Sequence, residues 1–166
     1  MNYAAQLKKL MTRRPALTLA VAESLTAGHL QAHIASVSGA SDYFLGGITA
    51  YTLEQKVKLL GVDRVVARRT DCVSQQVAIE MAFGAMEQFG ADVGAATTGY
   101  AEPNRAAKIK APMAWWAICQ RLRSGRLMVN AGLVEVPGAN RTEAQARIAE
   151  DVTGLLVAHV AAWRGK

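Results

Sequence analysis

Cysteine is scarce in this chain, which has only Cys72 and Cys119 among its 166 residues. The two lie far apart in sequence and match no metal-ligand spacing, so no metal site is expected. The segment from Met1 to Arg14 is charged and amphipathic, with no apolar stretch of secretory length. Together these observations predict a reduced, cytoplasmic protein.

Long apolar runs are also absent, because no stretch approaches the roughly 20 apolar residues that cross a bilayer. We therefore expect a soluble protein without a membrane partner. The chain is 51% hydrophobic, which is enough for one good core, and it is too short for two ordinary domains. The sequence predicts a single domain spanning residues 1–166.

Acidic residues are outnumbered, 13 against 19 lysines and arginines, which leaves a net charge of +6. An excess of this size permits an anionic partner but does not identify one. The basic residues are scattered, and no block of them alternates with aromatics as in a single-strand binder. A solvated surface explains them, and nucleic acid is not an expected partner.

Strand-like and helix-like segments alternate along the chain. The predicted strands are Leu17 to Ala22, Tyr43 to Tyr51, Ala91 to Thr98, Met113 to Leu122 and Arg126 to Val136. The predicted helices are Asn2 to Arg13, Thr26 to Ala35, Leu53 to Leu60, one from the N-cap Ser74 to Phe89, and a long one after Asn140. Val62 to Thr70 is predicted to be a basic connection that includes a short strand. The order indicates an α/β fold, a three-layer α/β/α sandwich on a mixed, mostly parallel sheet.

The stretch from Ala22 to Gly28, Ala-Glu-Ser-Leu-Thr-Ala-Gly, joins the first strand to the second helix. The first N–H groups of a helix lack acceptors and carry the positive end of its dipole, which favours negative charge at Ser24. That setting suits a nucleophile, an oxyanion or a phosphate. The alternative is that Ser24 or Thr26 only caps the helix.

Lys56 falls near the start of the helix that Thr52 and Gln55 open with a capping box. The helix dipole and nearby leucines would both lower the pKa of a lysine in this position, which would make it a candidate base. The alternative is a solvated surface lysine like Lys58. A second strand-to-loop junction, Thr97 to Pro103, is a candidate to face the same cleft as Ser24.

Two further features of the chain invite a ligand interpretation. Gly46 and Gly47 lie inside a predicted strand, where they would allow the backbone or a ligand to approach closely. His29 and His33 share a helix face, but a third metal ligand at a recognisable distance is missing. Exposed helix histidines are the simpler interpretation.

Taken in order, these motifs resemble those of the CinA C-terminal domain family over nearly the whole chain. The matching positions are Ala22-Glu23-Ser24, Thr26, Gly28, Gly46-Gly47, Tyr51, Lys56, Leu59 to Val62, Val73-Ser74, Thr98-Gly99, Ala101 and Pro103. Family members consisting of this domain alone are nicotinamide-nucleotide amidohydrolases, also called NMN deamidases. The resemblance implies hydrolysis of nicotinamide mononucleotide to nicotinate mononucleotide and ammonia, with no cofactor, in a homodimer.

The resemblance also implies roles for individual residues. Ser24 matches the family nucleophile and Lys56 the lysine that works with it, while Tyr51 and Thr98 match positions that line the site. Backbone N–H groups after Ser24 would hold the oxyanion. The implied substrate-binding residues are Glu23, Thr26, Gly28, Gly46, Gly47, Gly99 and Arg141.

Several positions depart from the family pattern. Leu25 and Ala27 replace a cysteine and a glycine, and Glu102 enters a glycine-rich loop. Ala114-Trp115 replaces Gly-Thr, and Gln145 stands where the motif of the closing helix has a second arginine. Glu102 places negative charge where a phosphate-bearing substrate would approach, which weakens binding. The alternative function is therefore an inactive relative that binds a nucleotide or a protein partner.

Overall fold

The computed structural model describes residues 2–165. The helices are α1 (Tyr3–Thr12), α2 (His29–Ala35), α3 (Leu53–Leu60), α4 (Arg64–Arg69), α5 (Gln75–Phe89) and α6 (Arg141–Arg164). The strands are β1 (Leu19–Glu23), β2 (Phe44–Thr49), β3 (Val93–Tyr100), β4 (Met113–Arg121) and β5 (Leu127–Glu135). Among the helices formed by residues 2–165, none is both long and apolar enough to span a bilayer.

The five strands form one sheet in the order β2-β1-β3-β4-β5. β1 pairs in parallel with β2 and β3, whereas β4 pairs antiparallel with both β3 and β5. Helices α1, α2 and α6 cover one face, and α3, α4 and α5 cover the other. This arrangement confirms the predicted three-layer sandwich with a mixed sheet.

Alternation along the central strands divides the core between the two helical layers. On β1, Leu19 and Val21 pack toward the layer containing α6, while Ala20 and Ala22 pack toward α5. All four side chains are fully buried. The small alanines let α5 lie close to the sheet, as expected for strands covered on both sides.

Helix boundaries follow the capping signals in the sequence. Helix α3 has the predicted bounds, with the Thr52 side chain accepting a hydrogen bond from the Gln55 N–H and Gly61 ending the helix in a left-handed conformation. The short strand predicted within Val62 to Thr70 is wrong, because the segment forms α4. The Asp63 side chain caps α4 by accepting from the N–H groups of residues 65 and 66.

Helix α2 begins at His29 rather than at Thr26, and Glu23 explains the difference. The fully buried Glu23 carboxylate accepts hydrogen bonds from the N–H groups of Gly28, Leu30 and Gln31 at 2.9 to 3.0 Å. It therefore supplies acceptors that the first turn of α2 lacks, and its negative charge offsets the positive end of the helix dipole.

The glycine pair on β2 makes room for helices rather than for a ligand. A Cβ at Gly47 would lie 2.6 Å from the Val21 side chain and 2.7 Å from Gln31, and one at Gly46 would lie 2.8 Å from the Phe89 ring. The predicted close approach is therefore filled by β1, α2 and α5. Gly46 also has a φ of +141°, beside an irregularity in the pairing of β1 with β2.

Replacing Glu23 with glutamine tests the capping role. The amide keeps one acceptor oxygen and places an NH2 group against the buried N–H groups, so we expect the free energy of unfolding to fall by about 3 kcal/mol. Urea denaturation measures the change. Glu135→Gln, at an exposed position, is the matched control and should change stability by less than about 0.5 kcal/mol. Equal denaturation midpoints for the two variants would contradict the assignment.

Candidate functional site

A cavity of about 420 Å³ opens at the carboxyl ends of β1 and β3. Its lining comes from the loops after these strands, from the start of α3, from the loop between α4 and α5, and from the start of α6. The lining residues include Ser24, Leu25, Tyr51, Lys56, Asp71, Cys72, Thr98, Gly99, Tyr100, Glu102 and Arg141. This is the edge of an α/β sheet at which ligands usually bind.

Ser24 is the first residue after β1, and it is only 8% exposed. Its N–H donates to the Thr97 carbonyl at 3.0 Å, which extends the pairing of β1 with β3 beyond the strand end. Two residues later, the Thr26 and Thr97 hydroxyls hydrogen-bond each other at 2.7 Å. The Ser24 hydroxyl is thus held at the cavity wall by a rigid connection to the sheet.

Lys56 extends from α3 toward the same point and is 1% exposed. Its Nζ lies 2.9 Å from Ser24 Oγ, 2.9 Å from the Ala50 carbonyl oxygen and 3.1 Å from the Tyr51 carbonyl oxygen. Within residues 2–165, no carboxylate forms an ion pair with Lys56. The serine and the lysine predicted to work together therefore meet in one cavity.

The three oxygens around Nζ determine where Lys56 donates a hydrogen bond and where it accepts one. A carbonyl oxygen only accepts, so two N–H groups of Lys56 donate to Ala50 and Tyr51. In the uncharged amine, the remaining position is the lone pair, which accepts the Ser24 O–H. Burial lowers the pKa of Lys56, while Cys72 and Asp71 raise it by a smaller amount. The site thus favours the uncharged amine, the form that accepts a proton.

Backbone donors follow Ser24 directly. Within residues 2–165, neither the Leu25 N–H nor the Thr26 N–H has a hydrogen-bond acceptor. Of the two residues, Leu25 lines the cavity and Thr26 does not, so the Leu25 N–H is the one available to a developing negative charge next to Ser24. The positive end of α2 is not available in this way, contrary to the sequence-based expectation, because Glu23 occupies it.

The loop that carries Ser24 is held from two sides and contains a strained residue. The buried Gln145 side chain on α6 donates from Nε2 to the Leu25 carbonyl at 2.9 Å. Ala27 has a φ of +49°, a left-handed conformation that costs an alanine about 1 kcal/mol and a glycine nothing. Alanine in place of the family glycine at position 27 therefore keeps the turn, but at an energetic cost.

Opposite Ser24, a pair of residues in left-handed conformations forms the cavity wall. Asp71 and Cys72 have φ values of +50° and +60°. The Thr98 hydroxyl donates to the Cys72 carbonyl at 2.7 Å, and the Tyr100 hydroxyl donates to the Asp71 carboxylate at 2.7 Å. Burial raises the pKa of Cys72 and, together with Asp71, raises that of Tyr100 to about 12. Both groups therefore stay protonated at neutral pH.

Arg141, the first residue of α6, lies at the cavity mouth. Its guanidinium donates to the Glu102 carboxylate at 2.9 Å and to the Tyr51 hydroxyl at 2.8 Å. The Arg141 and Glu102 side chains are 47% and 61% exposed, so solvent screens the pair. Glu102 therefore engages the guanidinium that the resemblance assigns to substrate.

The structure separates the predicted site residues into two groups. The residues that line the cavity are Ser24, Tyr51, Lys56, Thr98, Gly99 and Arg141. Those that lie outside it are Glu23, Thr26, Gly28, Gly46 and Gly47, and each has a structural contact instead. Tyr51 contacts Lys56 through its backbone carbonyl, and the Thr98 hydroxyl bonds the wall rather than the lysine.

Sequence reasoning missed Asp71 and Cys72, and it identified Gln145 only as the replacement of a family arginine. Gln145 lies four residues after Arg141 on α6, so helical spacing places both on the face toward the Ser24 loop. Asp71 and Cys72 have no such spacing to a residue of the site, and a cysteine is not a residue type that favours a left-handed conformation. In the chain from residue 2 to residue 165, no group of three or more His, Cys, Asp or Glu side chains is placed to hold a metal ion.

Solved structures share this architecture. A CinA superfamily protein from Klebsiella pneumoniae superimposes with a TM-score of 0.84 at 22% identity, covering 97% of both chains. One from Escherichia coli gives 0.80 at 25% identity, covering 94% of this chain and 87% of that one. At such identities the likeness concerns the fold.

Curated relatives supply the sequence comparison. A CinA-like protein from Mycobacterium marinum is 38% identical over 129 residues, which are 78% of this chain and 29% of the relative. A CinA-like protein from a Picosynechococcus strain is 54% identical over 86 residues, 52% of this chain and 20% of the relative. The chain thus spans less than a third of the length of these relatives. The family model described as the CinA C-terminal domain matches residues 2–160, and the chain therefore belongs to the CinA C-terminal domain family.

Proposed function

We propose that this protein is an amidohydrolase that converts nicotinamide mononucleotide to nicotinate mononucleotide and ammonia through a serine-lysine acyl-enzyme mechanism. The observation that carries the proposal is the 2.9 Å contact between Lys56 Nζ and Ser24 Oγ at the wall of an open cavity. A serine hydroxyl is a weak nucleophile until a base removes its proton, and an uncharged, desolvated lysine is such a base.

In the first half of the reaction, the uncharged Lys56 amine takes the Ser24 proton as Oγ attacks the carboxamide carbon. The resulting oxyanion is stabilised by the free N–H group of Leu25 at the cavity wall. The Lys56 ammonium then returns the proton to the amide nitrogen. The carbon–nitrogen bond breaks, ammonia leaves, and the acyl group remains as an ester on Ser24.

In the second half, Lys56 removes a proton from a water molecule that attacks the ester carbonyl. The tetrahedral intermediate collapses, the Ser24 oxygen recovers a proton from Lys56, and the carboxylate product is released. The carbonyls of Ala50 and Tyr51 keep Nζ in place throughout. The same amine thus alternates between base and acid without leaving its position.

The substrate phosphate requires a cation, and Arg141 is the candidate at the cavity mouth. A guanidinium matches a phosphate with two parallel hydrogen bonds. Glu102 competes for that group, since it already accepts from Arg141. The substrate therefore displaces a carboxylate in order to bind, which lowers its affinity.

Two of the departures from the family pattern bear on an alternative function, an inactive relative that only binds a ligand. Leu25 lines the cavity without closing it over Ser24, which itself lines the cavity. Trp115 packs against the core layer of α5 instead of lining the cavity. Neither residue blocks the hydroxyl, and this favours an enzyme over the inactive alternative.

A homodimer also remains part of the proposal. Leu127, Val129 and Leu133 on the edge strand β5 are 41 to 46% exposed and share one face of the strand. An exposed apolar face of this kind fits a second copy of the same chain, which would bury it symmetrically. Cytoplasmic location stays a prediction from the cysteine content and the N-terminal composition.

Removing either partner of the central contact tests the mechanism. Ser24→Ala and Lys56→Met should each lower the rate of ammonia release from nicotinamide mononucleotide by about 10³-fold or more, because one removes the nucleophile and the other its base. Product nicotinate mononucleotide is quantified in parallel. Lys58→Met, on the same helix, is the control and should retain the wild-type rate. Wild-type release no faster than that of Ser24→Ala would refute the proposal.

The pH profile tests the protonation state of Lys56. Since only the uncharged amine acts as a base, kcat/KM should rise with pH to a plateau, with an apparent pKa below the usual lysine value of about 10.4. Asp71→Asn removes a negative charge that raises the pKa of Lys56, so the rising limb should move to lower pH. A limb that stays in place or moves upward would contradict this assignment.

Glu102→Gln tests the competition at Arg141. Without the carboxylate charge, the guanidinium is free to bind phosphate, and the KM for nicotinamide mononucleotide should fall by about threefold to tenfold. The KM for nicotinamide riboside, which lacks the phosphate, provides the comparison and should stay within about twofold. Equal effects on the two substrates would show that Glu102 does not act through the phosphate.

A further inference from the structure

A second cavity, of about 410 Å³, lies at the other end of the sheet. Its lining residues are Arg13, Arg14, Pro15, Arg123, Trp163 and Arg164. They come from the segment before β1, the turn after β4 and the end of α6. Because β4 runs antiparallel to β3, the carboxyl end of β4 lies beside the amino end of β3. The arginine cavity, defined by these six residues, is therefore remote from Ser24.

Four of the six lining residues are arginines, and no carboxylate is among them. The ion pairs formed within residues 2–165 leave all four arginines out; the neighbouring Arg121 pairs with Glu87 instead. Like charges gathered around one cavity repel each other, and a bound anion relieves that repulsion. The composition of this cavity therefore points to an anionic ligand.

Arg164 is fixed in place before any ligand binds. Its Nη2 donates to the carbonyls of Arg13 and Pro15, each at 2.9 Å, and its guanidinium lies 5.1 Å from the centroid of the Trp163 ring. Its Nε is buried and has no acceptor among the described residues. A positioned guanidinium with an unused buried donor is an unfinished hydrogen-bonding site.

Positive charge is concentrated around Arg164. Burial and the charge of Arg13 both lower the pKa of Arg164. The two guanidinium groups are thus close enough to repel each other. An anion between them would remove that repulsion, and it would gain charge-assisted hydrogen bonds from planar groups suited to phosphate oxygens.

We propose that the arginine cavity binds an oligophosphate group, carried by a nucleotide or by a free inorganic oligophosphate. Several phosphates match the several guanidiniums, and the volume is ample for a di- or triphosphate. Trp163 lines the same cavity, with the Arg164 guanidinium over its ring. Binding here is separate from the amidohydrolase site and does not depend on that activity.

Isothermal titration calorimetry of the full chain tests the proposal, with inorganic tripolyphosphate in one arm and adenosine triphosphate in the other. We expect micromolar binding that weakens with added salt. The double variant Arg14→Gln with Arg123→Gln should raise the dissociation constant by at least about tenfold. Both residues are exposed, so folding should be retained, and a thermal melt verifies it.

The two arms of the titration distinguish the sources of the phosphate. Tighter binding of adenosine triphosphate than of tripolyphosphate would indicate a nucleotide, and equal binding would indicate an inorganic source.

Two controls separate a built site from general attraction to a basic protein. Arg68→Gln with Arg69→Gln removes the same charge from α4 and should change binding by less than about twofold. Arg164→Lys keeps the charge but removes the planar guanidinium group, so it should weaken binding. This variant tests the site independently if the first double variant fails to fold. Wild-type binding weaker than millimolar, or equal losses in the two double variants, would overturn the proposal.

Discussion

The burial of the Lys56 amine beside the Ser24 hydroxyl organises the end of the sheet at which the cavity of about 420 Å³ opens. A charged ammonium is costly to remove from water, and Lys56 has no carboxylate partner within the described chain. The fold offers two backbone carbonyls and a serine oxygen instead. That set satisfies an uncharged amine fully. Burial lowers the pKa of Lys56, which shifts the amine toward the uncharged form that the proposed mechanism requires.

Two neighbouring residues next to this contact point to different sides of the sheet and have different roles. The Glu23 side chain lies on the α2 side and accepts hydrogen bonds from backbone N–H groups at the start of that helix, whereas Ser24 lines the cavity. Thr26 ties the segment to β3, and Gln145 ties it to α6. Ser24, the nucleophile of the proposed mechanism, is thus held in position from both sides of its loop.

Local signals in the sequence predicted much of the architecture because helix caps and strand alternation are local phenomena. Thr52, Ser74 and Gly90 mark helix ends where the structure has them. The basic composition of Val62 to Thr70 did not indicate a helix, because Asp63 is the only residue that signals the start of α4. The placement of Ser24 against Lys56 was predictable from two strand ends and a family resemblance. The arginine cavity was not, because residues at both ends of the chain meet there through tertiary packing. Similarly, the polar contacts of Glu23 are invisible in a pattern that records only residue type.

The left-handed conformation of Ala27 links the stability of the fold to the position of Ser24. A glycine there would relieve the backbone and give a more heat-resistant molecule, as glycine does wherever a turn demands positive φ. It would also make the backbone more flexible three residues from the Ser24 hydroxyl. Changes that stabilise this turn therefore also act on the position of the nucleophile in the proposed mechanism.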